Sequence, residues 1–304
     1  MASVSVRSRL GAVPTPGLAL AALVVLNLMW GGSLPATKLA LQSFGPFSLA
    51  AARLLLASAL FAGVLRPGAL RHVPLADAWR MAGLGVIGFA GVQVLQALGT
   101  GQTSGATATV LASTGPLWIA LFAPALLRER LGAATLVGLL LALAGVAAIM
   151  GLGVGQPEDL AGGLTGNLIV LLSSAAAAVY TVLGKGLAQR YSPLTFCSIS
   201  CVGGALASLP LAVGELAIAP MWPTPLGWAL LVYLGVLVTF FGFGVWFWGL
   251  RALPAARAGA LMFLQPLSGL VLASLLLGDR PTPSFLVGCG LVLAGVYLAV
   301  RRTP

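Results

Sequence analysis

Charge is what this sequence has least of. Six of its 304 residues are Asp or Glu, one is His, and charged residues make up 7% of the chain, against roughly a quarter in an average soluble domain. Long polar stretches are scarce as well, because 59% of the residues are hydrophobic. A water-soluble globule of this composition would lack a surface to present to solvent. No nucleophile, base and orienter come together as a set, no glycine-rich phosphate loop is present, and no His/Cys/acid spacing suits a metal. Catalysis, ATP hydrolysis, a metal site and a cofactor are therefore not expected. Cys197 and Cys201 share a helix face with no His or carboxylate nearby, and Cys289 lies in another apolar run; all three read as small core residues.

The net charge of +10 does not imply a nucleic-acid partner, because the basic residues sit singly or in pairs between apolar runs and form no patch with aromatics among them. What is abundant is apolar sequence in runs near the length of about 20 residues that crosses a bilayer as a helix. Taking Pro, Gly and charge clusters as breaks, helices are expected near 17–40, 46–65, 79–99, 104–127, 133–151, 164–187, 193–214, 226–249, 255–277 and 284–300. The first run, from Gly17 to about Leu41, exceeds a signal-peptide core and reads as a retained helix. With a cytoplasmic N-terminus, all of the 16 basic residues except Lys38, Arg53 and Arg280 fall inside, so the positive-inside rule selects N-in, C-in.

The chain repeats itself. Pro116/Pro266, Arg130/Arg280, Gly138/Gly288 and the run from Leu143 to Val146 against Leu293 to Val296 recur at an offset of 150 residues; upstream, Lys38/Lys185 and Pro46/Pro193 recur at 147. Each half then holds five helices. An odd number sends the second half into the membrane from the opposite side, which is the inverted repeat of many secondary transporters. The expected architecture is an all-α membrane protein of ten transmembrane helices in two inverted five-helix repeats, 17–151 and 164–300. The tails 1–16 and 301–304 are expected to be cytoplasmic. A purely packing role for the duplication is the alternative.

The segment from Trp30 to Lys38 (WGGSLPATK), Pro46, Arg53, a small-residue helix leading to Pro116, and RER followed by LVGLLLALAGV are echoed by a second set ending in GDR and LVGCGLVLAGV. In order and spacing the chain resembles the two EamA domains of the drug/metabolite transporter superfamily. The resemblance implies a ten-helix exporter or permease for small metabolites, with a cavity between the halves formed mainly by the first, third and fourth helices of each. The second half departs from the pattern where Trp30 aligns with Ala177 and Arg53 with Ser200, so a role for either need not be mirrored.

Residues spaced i, i+3 and i+4 share a helix face, and on that basis candidate cavity-lining residues can be named. The first helix offers Asn27, Trp30 and Thr37; its counterpart offers Ser174 and Thr181. Gln93 and Gln96 form an amide face on the third helix, and the 150 offset sets Phe243 and Trp246 on the eighth. The fourth helix adds Thr107, Thr114 and Trp118, and the ninth adds Gln265 and Ser268. Ser and Thr in membrane helices also bond the preceding turn, and Trp246 and Trp118 also suit packing. The paired glutamines favour the cavity, because an amide in hydrocarbon needs partners. Lys38 and Lys185 are snorkelling anchors or candidate gate charges. Arg53, about 10 Å into its helix, is a shallow anchor or a cavity-facing group. Pro116 and Pro266 are expected to bend matched helices near the membrane middle. No Asp or Glu falls well inside a helix, so a carboxylate proton relay is not expected.

The leading expectation is an inner-membrane carrier of the EamA type, exporting small metabolites such as amino acids by rocking of the two halves. A carrier of anionic solutes such as phosphorylated sugars is the runner-up; a non-transporting structural or lipid-binding membrane protein is the alternative of another class. The expected partners are a small-molecule solute and membrane lipid. The Gly138, Ala142, Gly145 stripe permits close helix contact within a monomer or a homodimer.

Overall fold

The computed structural model describes residues 13–65, 68–100, 111–149, 164–268 and 283–301, and all regular structure among them is helical. The elements are α1 (Pro16–Trp30), α2 (Ser33–Ala40), α3 (Pro46–Val64), α4 (Leu75–Gly85), α5 (Val92–Thr100), α6 (Gly115–Leu127) and α7 (Ala133–Ile149). They continue with α8 (Leu164–Tyr191), α9 (Pro193–Ile218), α10 (Pro225–Val232), α11 (Gly242–Gly249), α12 (Ala255–Ala260) and α13 (Pro283–Val300). Wider π-helical segments join α4 to α5 (Val86–Gly91) and α10 to α11 (Tyr233–Phe241). Among the described residues, five apolar rods have the length to cross a bilayer: Pro46–Val64, Leu75–Gln96, Leu164–Tyr191, Pro193–Ile218 and Pro225–Gly249. The chain is an integral membrane protein.

Local chemistry explains where helices differ from expectation. The first is broken into α1 and α2 by a turn at Gly31 and Gly32, where each glycine weakens a helix by about 1 kcal/mol relative to alanine. The third begins at Leu75, directly after Pro74, whose fixed φ suits the residue before a helix. The sixth and seventh run on to Tyr191 and Ile218, because their last turns are secured by polar contacts described below. The expected start of the fourth helix at 104 lies outside the described residues.

The chain forms two compact units, and each takes segments from both sequence halves. One comprises the described residues of Met1–Ala22, Ser33–Val94 and Leu183–Leu253; the other comprises those of Leu23–Gly32, Leu95–Val182 and Pro254–Pro304.

In the first unit, α3 packs antiparallel on α9. The Cys201 Sγ lies 3.4 Å from the Leu54 carbonyl oxygen, and these residues are 147 apart, so repeat-equivalent positions face each other across the contact. At one end the Glu215 carboxylate accepts from the Ser48 N–H (2.7 Å), the Ser48 hydroxyl (2.6 Å) and the Phe47 N–H (3.3 Å). A carboxylate at the N-terminus of α3 satisfies donors that have no helical partner and complements the helix dipole. At the other end Asp77, buried in the first turn of α4, accepts from Arg80 (3.0 Å), Arg190 (3.1 Å) and the Tyr191 hydroxyl. Close approach is set by glycine: a Cβ at Gly85 would overlap the Ser200 backbone, and one at Gly203 would lie 2.5 Å from the Ala82 carbonyl.

In the second unit, α7 and α13 are antiparallel along a glycine seam. A Cβ at Gly138 would lie 2.5 Å from the Gly295 carbonyl, and one at Gly145 would lie 2.7 Å from the Gly288 carbonyl. Gly138 and Gly288, and Gly145 and Gly295, are repeat mates at the offset of 150. The Gly138, Ala142, Gly145 stripe is thus occupied within the chain, where close backbone contact provides the dispersion attraction that holds membrane helices together.

Gly85→Ala is expected to lower the melting temperature of the purified protein sharply, since overpacking costs about 1–3 kcal/mol. Gly83→Ala, in the same helix but with open space around its Cβ, should leave it equal or higher. Differential scanning fluorimetry of the two variants checks this, and equal losses would refute the close-packing reading.

Candidate functional site

The polar chemistry of the second unit gathers where α6 begins. Residues 113 and 114 form a turn, and Pro116 sits in the first turn of the helix that follows. Pro has no N–H to donate, so the Ala112 carbonyl loses its i+4 partner. The Thr114 hydroxyl bonds the Leu111 carbonyl at 2.6 Å. The Ser174 hydroxyl of α8 reaches across to the same break, 3.2 Å from the Leu111 oxygen and 3.4 Å from the Ala112 oxygen, while staying 3.1 Å from Val170 O on its own helix. Trp118, one turn on from Thr114, buries its indole N–H with no hydrogen-bond partner among the described residues.

A second polar contact in this unit is the repeat image of the first. Asn27, 0% exposed, is the mate of Ser174 at offset 147, and Gln265 is the mate of Gly115 at 150. The Gln265 side-chain N–H donates to Asn27 Oδ1 at 2.8 Å, and the Asn27 amide donates to the Leu23 carbonyl at 2.7 Å. The Ser268 hydroxyl donates to the Gln265 carbonyl at 3.0 Å. Pro266 lies in the helical stretch 264–268, directly after a tight 3-10 turn at Leu261–Phe263. The structure thus joins Asn27 with Gln265, and Ser174 with the break that Thr114 closes.

In the first unit, Arg53 is half-buried on α3 and its Nε donates to the Thr239 hydroxyl at 3.0 Å. Thr239 is fully buried in the widened segment and in turn donates to the Leu234 carbonyl, five residues back, at 2.8 Å. Among the described residues no carboxylate forms an ion pair with Arg53. Lys185 is 5% exposed and its ammonium bonds the Leu253 carbonyl at 2.6 Å; its charge is held on the turn that follows α11.

The remaining candidates lie elsewhere in the described residues. Trp30 and Thr181 are buried, and Trp246 is 2% exposed. The Thr37 hydroxyl bonds back to Ser33 O at 2.8 Å, and Phe243 packs edge-on against Phe89 at 4.6 Å. Gln93 and Gln96 are both half-buried on α5. Thr107 and the side chain of Lys38 lie outside the described residues. Thr239 and the carbonyls of Leu111 and Ala112 carry site chemistry that hydropathy does not flag. Only the proline four residues after Ala112 signals a freed acceptor.

Removing either partner of the amide pair strands the other, at about 1–3 kcal/mol for a buried unsatisfied group. Asn27→Ala and Gln265→Ala should each lower the melting temperature, and the double variant should lose less than the sum of the two. Strict additivity in that cycle would mean the bond contributes nothing.

Comparison with known proteins identifies the family. The EamA-like transporter family matches residues 17–151 and 164–301. An "uncharacterized transporter" of Archaeoglobus fulgidus is 30% identical over 278 residues, 90% of this chain and 95% of its own. A "probable terminal-alkyne amino-acid exporter" of Streptantibioticus cattleyicolor is 32% identical over 289 residues, 93% of each chain. A solved crystal structure with 23% identity superposes with a TM-score of 0.75, over 92% of this chain and 96% of that one, and shares the fold. These relatives are named as transporters and not as enzymes. With matches spanning both halves of the sequence, the chain belongs to the EamA-like transporter family.

Proposed function

We propose that this chain is an inner-membrane secondary carrier that exports small metabolites of the amino-acid type by alternating access. It crosses the bilayer ten times, as inverted repeats 17–151 and 164–300 with cytoplasmic tails 1–16 and 301–304. The observation that carries the solute class is the 32% identity, over 93% of both chains, to a protein named as an amino-acid exporter. The inversion is supported by antiparallel contacts between repeat mates, Leu54 against Cys201 and the Gly138/Gly145 seam against Gly288/Gly295. A site of amides, hydroxyls and backbone carbonyls without formal charge suits a net-neutral solute, since an unpaired charge in such surroundings is penalised.

Purified full-length protein in proteoliposomes loaded with the standard L-amino acids should show saturable counterflow of at least one of them. Folded protein giving no saturable flux for any would sink the proposal. Arg53, lacking an ion-pair partner among the described residues, favours a second reading, an anionic solute. That reading expects counterflow of a phosphorylated sugar that Arg53→Gln abolishes and Arg53→Lys partly keeps. Loss of melting temperature without selective loss of anion flux would assign Arg53 to the structure of α3 and its neighbour instead.

A further inference from the structure

The two polar contacts of the second unit are repeat images, yet they differ in one respect. Where the second half places the Gln265 side chain, its amide bonded to Asn27, the first half places Gly115. Gly115 is buried, and a Cβ built there would meet no atom of the described residues within 4 Å outside its own stretch of chain. The described residues thus leave open space at the Cβ position. Three residues before it is the Ala112 carbonyl freed by Pro116, which the Ser174 hydroxyl approaches to 3.4 Å, and three residues after it is Trp118. Helical side chains lean towards the helix N-terminus, so the indole of Trp118, three residues on, leans over the turn that Gly115 begins. Its buried N–H has no hydrogen-bond partner among the described residues.

We infer that the space at Gly115 is a solute subsite that binds the paired ammonium and carboxylate of an α-amino acid, at the place its repeat mate fills with the Gln265 amide. The ammonium takes the role of the Gln265 N–H, donating to Ser174 Oγ and the Ala112 carbonyl. The carboxylate accepts from the Trp118 indole N–H. The protein's own amide pair thus shows what group the empty position accommodates. The carbonyl-bearing break supplies partial negative charge for the cation, and the indole supplies a donor for the anion. Glycine is required because any larger side chain would occupy the space itself. This inference rests on the amino-acid reading above for the class of solute, but the subsite can be tested apart from transport.

The test uses full-length protein with Cys289→Ser, in which Cys197 and Cys201 remain buried. Gly115→Cys in this background should react with the small cationic thiol reagent 2-aminoethyl methanethiosulfonate in proteoliposomes. A mixture of the standard L-amino acids should slow that reaction about tenfold, as expected for charge-assisted hydrogen bonds, while butylamine or butyrate alone should protect at least tenfold more weakly. Gly115→Leu should keep the ligand-free melting temperature and lose amino-acid counterflow. An unreactive Gly115→Cys in folded protein, or one that amino acids do not protect, overturns the subsite. Protection by butylamine as strong as by the mixture overturns the paired-group assignment. Counterflow unchanged in Gly115→Leu overturns the subsite while leaving the carrier reading intact; protection at Gly115→Cys without counterflow in the unmodified chain upholds the subsite and removes the carrier reading.

Discussion

Inside hydrocarbon every backbone N–H and C=O must find a partner within the protein, and the rest of this structure depends on that requirement. It selects helices, and it also dictates what happens wherever a helix is interrupted. At 113–114 the freed carbonyls of Leu111 and Ala112 are approached by Thr114 from the chain itself and by Ser174 from another helix. At the widened segment Tyr233–Phe241, the Thr239 hydroxyl bonds the carbonyl five residues back and receives Arg53. Each interruption thereby draws a polar side chain to it, and polar side chains in a membrane interior are where a solute can be recognised.

Interruptions also come in matched sets. The widened segments Val86–Gly91 and Tyr233–Phe241 overlap at the 150 offset, and both fall in the middle of a long rod. Such π-helical turns rotate the face that follows relative to the one before and cluster at functional sites. Pro116 and Pro266 each follow a local departure from α-helical geometry, a turn in one case and a 3-10 segment in the other. A duplicated sequence has kept the positions of its irregularities while changing their chemistry: Asn27 against Ser174, and Gln265 against Gly115. That divergence gives one set of mates a side-chain bond between the repeats, Asn27 to Gln265, and the other a hydroxyl on a helix break, Ser174 on Leu111 and Ala112.

Much of the helical layout was legible because it rests on short-range chemistry. Apolar run length, Pro46 and Pro193 at the heads of α3 and α9, and the glycine seam of α7 are all readable along the chain. The break at Gly31–Gly32 was written in the same letters and was merged into one helix only because hydropathy continues across it. The candidate site was legible as a set of polar residues in register, including Asn27, Ser174, Gln265 and Trp118. It was not legible as contacts, because periodicity gives the face a residue occupies and says nothing of what lies opposite. Thr37 returns to its own helix and Phe243 packs on Phe89, although spacing alone ranks them with Asn27.

Sequence alone establishes that the chain is helical, that it lives in a membrane and that it contains a duplication. Those properties follow from composition, run length and offset, each a sum over many residues. Packing makes the compact units take segments from both halves, so that repeat mates meet as antiparallel neighbours. It also decides that Lys185 is held on the Leu253 carbonyl and that Gln265 is bonded to Asn27. Such facts depend on single contacts between residues more than 60 positions apart. No local pattern encodes them, because the free energy that selects them arises only when whole helices are packed.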